Sequence, residues 1–243
     1  ILNYGRAADT CACVDSVLSS RYDHFTVVVI DNHSPDDSEV VLSAMAQQYQ
    51  AAGKPVHFIA APDNQGYSGG NNLGIDYALA QGADYVWLLN NDTTVDPLAL
   101  QYLVDEATKT GGLVGSLLLY PDRTYQQVGT RILWRTGGIR GYQESDLKNG
   151  MTVDALSGAS LLIPASVIRR IGKLDEQFFL YFEDAEYCLR AQSKHCPITV
   201  ALSSRVYHQE GATTGKNSPA TQYYYQRNRL LLMSQYANTF EFF

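Results

Sequence analysis

Tyr85-Val86-Trp87-Leu88-Leu89-Asn90-Asn91-Asp92-Thr93 decides how this chain is read. Its first five residues are strand formers without a polar interruption, as a strand covered on both faces requires. They stop at two amides and a carboxylate, so oxygen-bearing side chains two residues apart project from a sharp turn. Open α/β sheets place their ligands at such strand carboxyl ends. A hard divalent cation takes carboxylate and amide oxygens and shares the rest of its shell with phosphate and water, which makes Asn90 and Asp92 candidate metal ligands. The same residues also suit an Asx-type turn, because Asn and Asp bond their own backbone.

Toward the N-terminus, Thr26–Ile30 is a second continuously apolar strand, ending at Asp31. After the turn-rich Asn32-His33-Ser34-Pro35-Asp36-Asp37, the pattern predicts a helix over 38–52 and a strand over 56–60. A loop at 61–69 leads to a helix over 71–81. This alternation predicts β-α-β units, hence an α/β fold with a mostly parallel sheet. Toward the C-terminus the reading is a helix after Pro97, strands near 113–120 and 128–134, and a Gly- and charge-rich mobile loop over 135–151. A strand at 159–163, a helix from about Glu183, two short strands around 198–208 and a Tyr-rich helix over about 221–237 follow. Aromatics at helical spacing suit packing of that last helix on the sheet, while its Tyr223, Tyr224, Tyr225, Arg227 and Arg229 also suit an acceptor groove or a membrane surface.

The chain has 243 residues, 45% of them hydrophobic, enough for one core, so a single domain over 1–243 is expected. A net charge of -7 offers no general attraction for nucleic acid; a phosphate has to be met by a local device. Cys11, Cys13, Cys188 and Cys196 fit neither zinc spacing nor a disulfide framework, so reduced thiols and a cytoplasmic location are expected. No apolar run approaches the roughly 18 residues of a spanning helix, which leaves peripheral contact as the form of any membrane visit. Ile1-Leu2-Asn3-Tyr4 reads as a strand already under way and Phe240–Phe243 ends on aromatics, so a longer polypeptide is expected.

Three more segments carry chemistry. Asp63–Asn72 is rich in Gly and Asn and opens a helix, so its free amides suit a phosphate or a sugar. Its spacing is not that of the dinucleotide fingerprint. Glu183 and Asp184 stand where a helix starts, a place that presents a general base rigidly and where acids also favour the helix dipole. His208 ends a short strand and can complete a metal shell through a ring nitrogen, although a lone His is commonly an ordinary satisfied side chain.

In this order the five motifs resemble those of family 2 glycosyltransferases with the GT-A fold. The similarity is greatest to the bacterial branch of rhamnosyltransferases and galactofuranosyltransferases, and runs from Ile1 to about Leu232. The resemblance implies a nucleotide-sugar-binding half over 1–96 and an acceptor-side half over 97–243. It implies that Asn3, Tyr4, Asp31, Asn32 and Ser34 meet the base and ribose of a uridine or thymidine nucleotide. Asn64, Gly66, Tyr67 and Asn71 form a second nucleotide loop, joined by Asn91. Asp92 and His208 hold Mg2+ or Mn2+, with Asn90 standing where the family has its first aspartate. Asp184 is the base with Glu183 beside it, Gly158 and Ala159 lie near the donor sugar, and 135–151 is an acceptor-side flap. The implied reaction is an inverting displacement from a UDP- or dTDP-sugar to a hydroxyl of a glycan or lipid-linked glycan in cell-surface polysaccharide synthesis. Two rivals share some of these features. A sugar nucleotidyltransferase would want a Gly-rich, Lys/Arg-bearing loop near the N-terminus, which the sequence lacks. An inactive glycan-binding domain is suggested by Asn90.

Overall fold

The structure, a computed structural model, describes residues 1–148, 151–209 and 218–237. In chain order its elements are β1 (Leu2–Asn3), α1 (Ala7–Leu18), β2 (Val27–Asp31), α2 (Ser38–Ala51), β3 (Val56–Ala60), α3 (Gly66–Ala80) and β4 (Tyr85–Leu89). There follow β5 (Thr93–Val95), α4 (Ala99–Thr110), β6 (Leu113–Leu119), β7 (Tyr125–Gln127), β8 (Thr130–Leu133) and β9 (Gly138–Gly141). The last elements are β10 (Ser160–Pro164), α5 (Ala165–Ile171), α6 (Glu183–Ser193), β11 (Ile198–His208) and α7 (Pro219–Tyr236).

Strands β1, β2 and β3 pair in parallel, and a parallel bridge from Leu2 to Asn90 carries the arrangement on to the end of β4. Beyond β4 the order is β4-β10-β6-β11-β5. β10 runs antiparallel to both neighbours, β11 is parallel to β6, and β5 closes the edge antiparallel to β11. A parallel half built from β-α-β units thus passes into a mixed half. Val14, Val27, Val29 and Leu42 form the core of the first half, while Leu113, Leu161, Ile163, Phe178 and Tyr187 lie in the core of the second. Across the middle strands, Trp87 Nε1 donates to Ser160 Oγ at 2.9 Å, and hydroxyl bonds of 2.7 and 2.8 Å join Ser160 to Ser116 and Ser116 to Ser204. These buried polar groups satisfy one another, and a one-residue slip would break the set.

Helix α3 starts at Gly66 rather than near Asn71. Side chains from elsewhere start it: Asn32 Oδ1 accepts from the Gln65 amide at 3.1 Å, and Asn64 Oδ1 accepts from the Gly66 amide at 3.0 Å. The glycines serve close packing, since a Cβ on Gly70 would lie 2.5 Å from Leu2 and one on Gly74 2.9 Å from Ile30. Residues 135–151 are not a structureless loop. The β8–β9 hairpin, turning through Gly137 at φ 66°, and a 3-10 turn at Glu144–Asp146 order most of the stretch, while residues 149 and 150 lie outside the described residues. The two short strands expected around 198–208 are one strand with a register shift between Ala201 and Arg205. Its polar middle looked like a break, but Ser204 is fully buried and hydrogen-bonded. Helix α5 was not anticipated. Helix α7 buries Leu232 in the core of the second half and packs its aromatics on the segment before α6: Tyr224 stacks on Phe179, Tyr225 lies tilted against Phe182, and Gly137 of the hairpin abuts Met233. Among the described residues no helix is long and apolar enough to cross a membrane.

Candidate active site

The end of β1 carries a buried polar network. Asn3 Nδ2 donates to Asp31 Oδ1 at 2.8 Å and to Ser34 Oγ at 3.0 Å, while Asn3 Oδ1 accepts from Thr10 Oγ1 at 2.7 Å and from Asn91 Nδ2 at 3.2 Å. Ser34 donates to Asp31 through its amide and its hydroxyl, at 3.0 and 2.5 Å. Asn32 Nδ2 grips Asn64 Oδ1 and Gly66 O, each at 3.0 Å, and Asn71 Nδ2 donates to Tyr67 O at 2.9 Å. Asn3, Asp31, Asn32, Asn71 and Asn91 are therefore buried groups that shape a wall. Tyr4, 41% exposed, and Asn64 present surface to solvent.

The turn after β4 is different, because its side-chain oxygens lack partners. Asn90 Oδ1 and Asp92 Oδ1 are buried and unbonded, while the backbone carbonyl of Asn90 is taken by Thr93 Oγ1 at 2.7 Å. Neither side chain therefore serves the Asx-type turn. His208, last residue of β11, is paired with Thr93 across the β5 edge. Its Nε2 lies 3.3 Å from Asp92 Oδ1, with the two side chains only 9% and 7% exposed. His208 Nδ1 is 2.9 Å from Gln126 Oε1, whose amide group also donates to His208 O at 3.2 Å. A proton on Nδ1, given to Gln126, leaves Nε2 as a lone pair facing a carboxylate oxygen. Two lone-pair atoms at that spacing, with the orphaned Asn90 oxygen on the same turn, fit a divalent cation. Among the described residues no three His, Cys, Asp or Glu side chains converge as a metal-binding group, so the donor set is a pair plus an amide.

Glu183 and Asp184 open α6 behind two left-handed residues, Tyr181 and Phe182. Asp184 Oδ1 accepts from the Ala185 amide at 2.7 Å and Oδ2 from the Gly158 amide at 2.9 Å. Glu183 is buried and its Oε2 has no partner. Burial raises both carboxyl groups, and the neighbouring Asp184 charge pushes Glu183 further, well above its ordinary range. The Gly158 and Ala185 amides oppose the rise at Asp184. Glu183 is thus raised further than Asp184, whose two amide bonds favour its charged form.

One turn joins these groups. Ala159 O accepts from the Asn90 amide at 3.1 Å, Gly158 N–H reaches Asp184, and Gly158 O accepts from the Tyr67 hydroxyl at 2.7 Å. Burial is the largest cause that holds the Tyr67 phenol protonated. The structure thus gathers Asn90, Asp92, His208, Tyr67, Gly158, Ala159, Glu183 and Asp184 around the 157–159 turn. Sequence reasoning missed Gln126 and Thr10. Gln126 carries no motif; a Thr on the buried face of α1 was the one signal for Thr10.

The family model Glycosyl transferase family 2 matches residues 1–163. Agl10, a low-salt glycan biosynthesis hexosyltransferase of Haloferax volcanii, is 28% identical over 212 residues, covering 84% of this chain and 66% of the relative. The dTDP-rhamnosyl transferase RfbF of Shigella flexneri is 22% identical over 224 residues, with 85% and 70% covered. Among solved structures, GalNAc-T7 with UDP, GalNAc and Mn2+ aligns at a TM-score of 0.71 and 16% identity, over 94% of this chain and 45% of that one. This chain therefore spans under half of that protein and about two thirds of Agl10. The structural likeness shows the GT-A fold, and with a family match over well more than half its length, the chain belongs to glycosyl transferase family 2.

Proposed function

We propose that this chain is an inverting hexosyltransferase that moves a sugar from a UDP- or dTDP-linked donor to a glycan hydroxyl. The observation that carries the reading is the 157–159 turn, which ties a partly open Asp184 to the unpartnered oxygens of Asn90 and Asp92. A base and a phosphate-facing cation site on one cleft are what displacement at an anomeric carbon needs. The names of Agl10 and RfbF support glycan synthesis, and RfbF supports a dTDP-sugar donor. The UDP and Mn2+ of the GalNAc-T7 structure support a UDP-sugar and a divalent metal.

In this reading the half over 1–96 binds the nucleotide. Tyr4 flanks the base, the Asp31–Ser34 turn faces the ribose, and the α3 N-terminus faces the diphosphate, since free helix amides favour anions. Asp92 and His208, with Asn90, hold Mg2+ or Mn2+, which when bound supplies positive charge to the departing diphosphate. Asp184 takes the proton of the acceptor hydroxyl as its oxygen attacks, so the nucleophile is strongest when the new bond forms. Its two amide bonds favour its ionised form and aim it, and its partial exposure gives the acceptor access. Glu183, neutral beside it, adds no second negative charge to repel the donor. Gly158 and Ala159 border the donor sugar; a Cβ at Gly158 would lie 2.9 Å from the Tyr67 hydroxyl and narrow that space.

The test is release of nucleoside diphosphate from a panel of UDP- and dTDP-sugars with Mn2+, alone and with glycan acceptors. Asp184→Asn is expected to lower turnover by roughly 100- to 10,000-fold while UDP binding stays near that of the parent protein. No diphosphate from any donor, pyrophosphate in its place, or normal turnover in Asp184→Asn defeats the proposal.

A further inference from the structure

Tyr181 at φ 69° and Phe182 at φ 68° directly precede the acid pair. Left-handed backbone is unfavourable for any residue with a Cβ, and bulky aromatics are rare there. Two such residues in succession persist only where their surroundings over-determine them. Those surroundings are on view: every carbonyl from Gln177 to Tyr181 is held from outside the segment. Arg227 Nη1 holds Gln177 O at 2.7 Å, Ser68 Oγ holds Phe178 O at 2.7 Å, and the Tyr67 amide holds Phe179 O at 2.7 Å. The last two of these five carbonyls, Leu180 O and Tyr181 O, accept from a single group, Asn228 Nδ2, at 2.8 and 2.9 Å.

Asn228 is fully buried on α7, and its Oδ1 accepts from Arg227 Nη1 at 2.7 Å. With donors and acceptor all engaged, the amide has one orientation. Three residues earlier, Tyr225 lays its ring 5.0 Å from that of Phe182 and 6.2 Å from that of Tyr181. A leucine in this apolar setting would fill the space at no desolvation cost, so what the amide adds is the pair of bonds to the strained turn. Helix α7 lies outside the residues matched by the family model.

We infer that Asn228 is a positioning residue for Asp184: by holding the Leu180 and Tyr181 carbonyls it keeps the left-handed turn that aims the base into the cleft. The inference rests on the reading of Asp184 as the base. The α3 side of the same segment, through Tyr67 and Ser68, fixes its far end to the loop assigned to the nucleotide. Loss of Asn228 therefore frees the end next to the acids and leaves the nucleotide loop in place.

The test is Asn228→Ala, measured by hydrogen exchange and by steady-state kinetics on whichever nucleotide sugar the parent protein turns over. Exchange over 178–186 is expected to quicken at least about tenfold, with 85–92 unchanged, because local opening is released without global unfolding. Turnover is expected to fall roughly 100-fold with KM for the nucleotide sugar within about twofold, since a misaimed base loses rate and not binding. Unchanged protection over 178–186, a kcat near that of the parent, or protection lost throughout together with a raised KM overturns the inference. Should Asn228→Ala fail to fold, Tyr225→Leu, which loosens the same turn from its surface, carries the same expectations. Turnover retained in Asp184→Asn defeats the base assignment whatever the exchange shows; normal kcat in Asn228→Ala beside an inactive Asp184→Asn defeats only the inference.

Discussion

Adjacent residues with the same functional group end up in different states here because their hydrogen-bond partners differ. Asp184 has two backbone amides and Glu183 has an oxygen with none. A buried acid whose proton is held more tightly in the folded chain stabilises the fold at low pH. It withdraws that stability as pH rises from the ordinary value, 4.5 for Glu183, toward its raised folded value. In metal-free protein, Glu183→Gln removes the cost of protonating that acid, or of burying its charge, on folding, so the variant is expected to be about 1–3 kcal/mol more stable than the parent at pH 8. Its stability should vary less between about pH 5 and 8, with the Asp184 contribution remaining. Urea melts across that range measure both, and a variant less stable than the parent at pH 8 contradicts the assignment. Asp92, Asp184 and His208 were legible in the sequence because ionisable groups just after strands or at a helix start stand out against apolar neighbours. Amides do not stand out in this way. Asn3 and Asn91, expected at a nucleotide, are spent on one another and on Thr10, whereas Asn228 passed unnoticed inside an ordinary-looking helix.

Helix α3 shows why elements are harder to delimit than to detect. Its core stretch was legible from periodicity, but its first turn is rich in Gly and Asn, residues with weak helix preference. Asn32 and Asn64 cap that turn from outside, and no local window contains both partners. The glycines differ in what surrounds them. Gly66 has φ 68° and a Cβ there would lie 2.4 Å from Phe179 O, whereas Gly82 has φ 75° with nothing within 4 Å. Gly82→Ala is expected to cost about 1–2 kcal/mol, the left-handed penalty alone. Gly66→Ala adds a backbone collision, and a total of about 3 kcal/mol or more is expected. Thermal melts of the two variants give the comparison; equal losses would mean that the Phe179 carbonyl moves aside freely. The second strand of the hairpin, β9, and the single β11 strand were misread for a related reason. A four-residue strand with a Gly at each end shows too little alternation to register, and a polar strand centre looks like a break unless its hydroxyl partners on other strands are known.

At the scale of the whole molecule, a mostly parallel first half was expected from β-α-β alternation, because each parallel crossover needs its own helix, although no strand order was read from it. The placement of β10 and β11 was not expected, since antiparallel insertion depends on pairings far apart in sequence. Strand β11 brings His208 beside Asp92, with Gln126 of β7 on its Nδ1, so under the proposed function a cation held there would couple to folding of the second half. UDP with Mn2+ at a hundredfold excess over Kd is expected to add about 2.7 kcal/mol of stability, roughly 5–10 °C in Tm for a chain of this size. Asp92→Asn should keep the UDP shift seen in EDTA and lose the Mn2+-dependent part; a full Mn2+ response in that variant removes Asp92 from the cation site. The buried serine chain of the sheet carries a different implication, for how this sequence can change over generations. Removing Ser116 takes away the hydrogen-bond partner of Ser204, and removing Ser160 that of the Trp87 N–H, each at about 1–3 kcal/mol, whereas exchanging all three serines for small apolar residues strands only the Trp87 N–H. Drift at these three sites should therefore be concerted, with a serine lost from one strand followed by losses on the others.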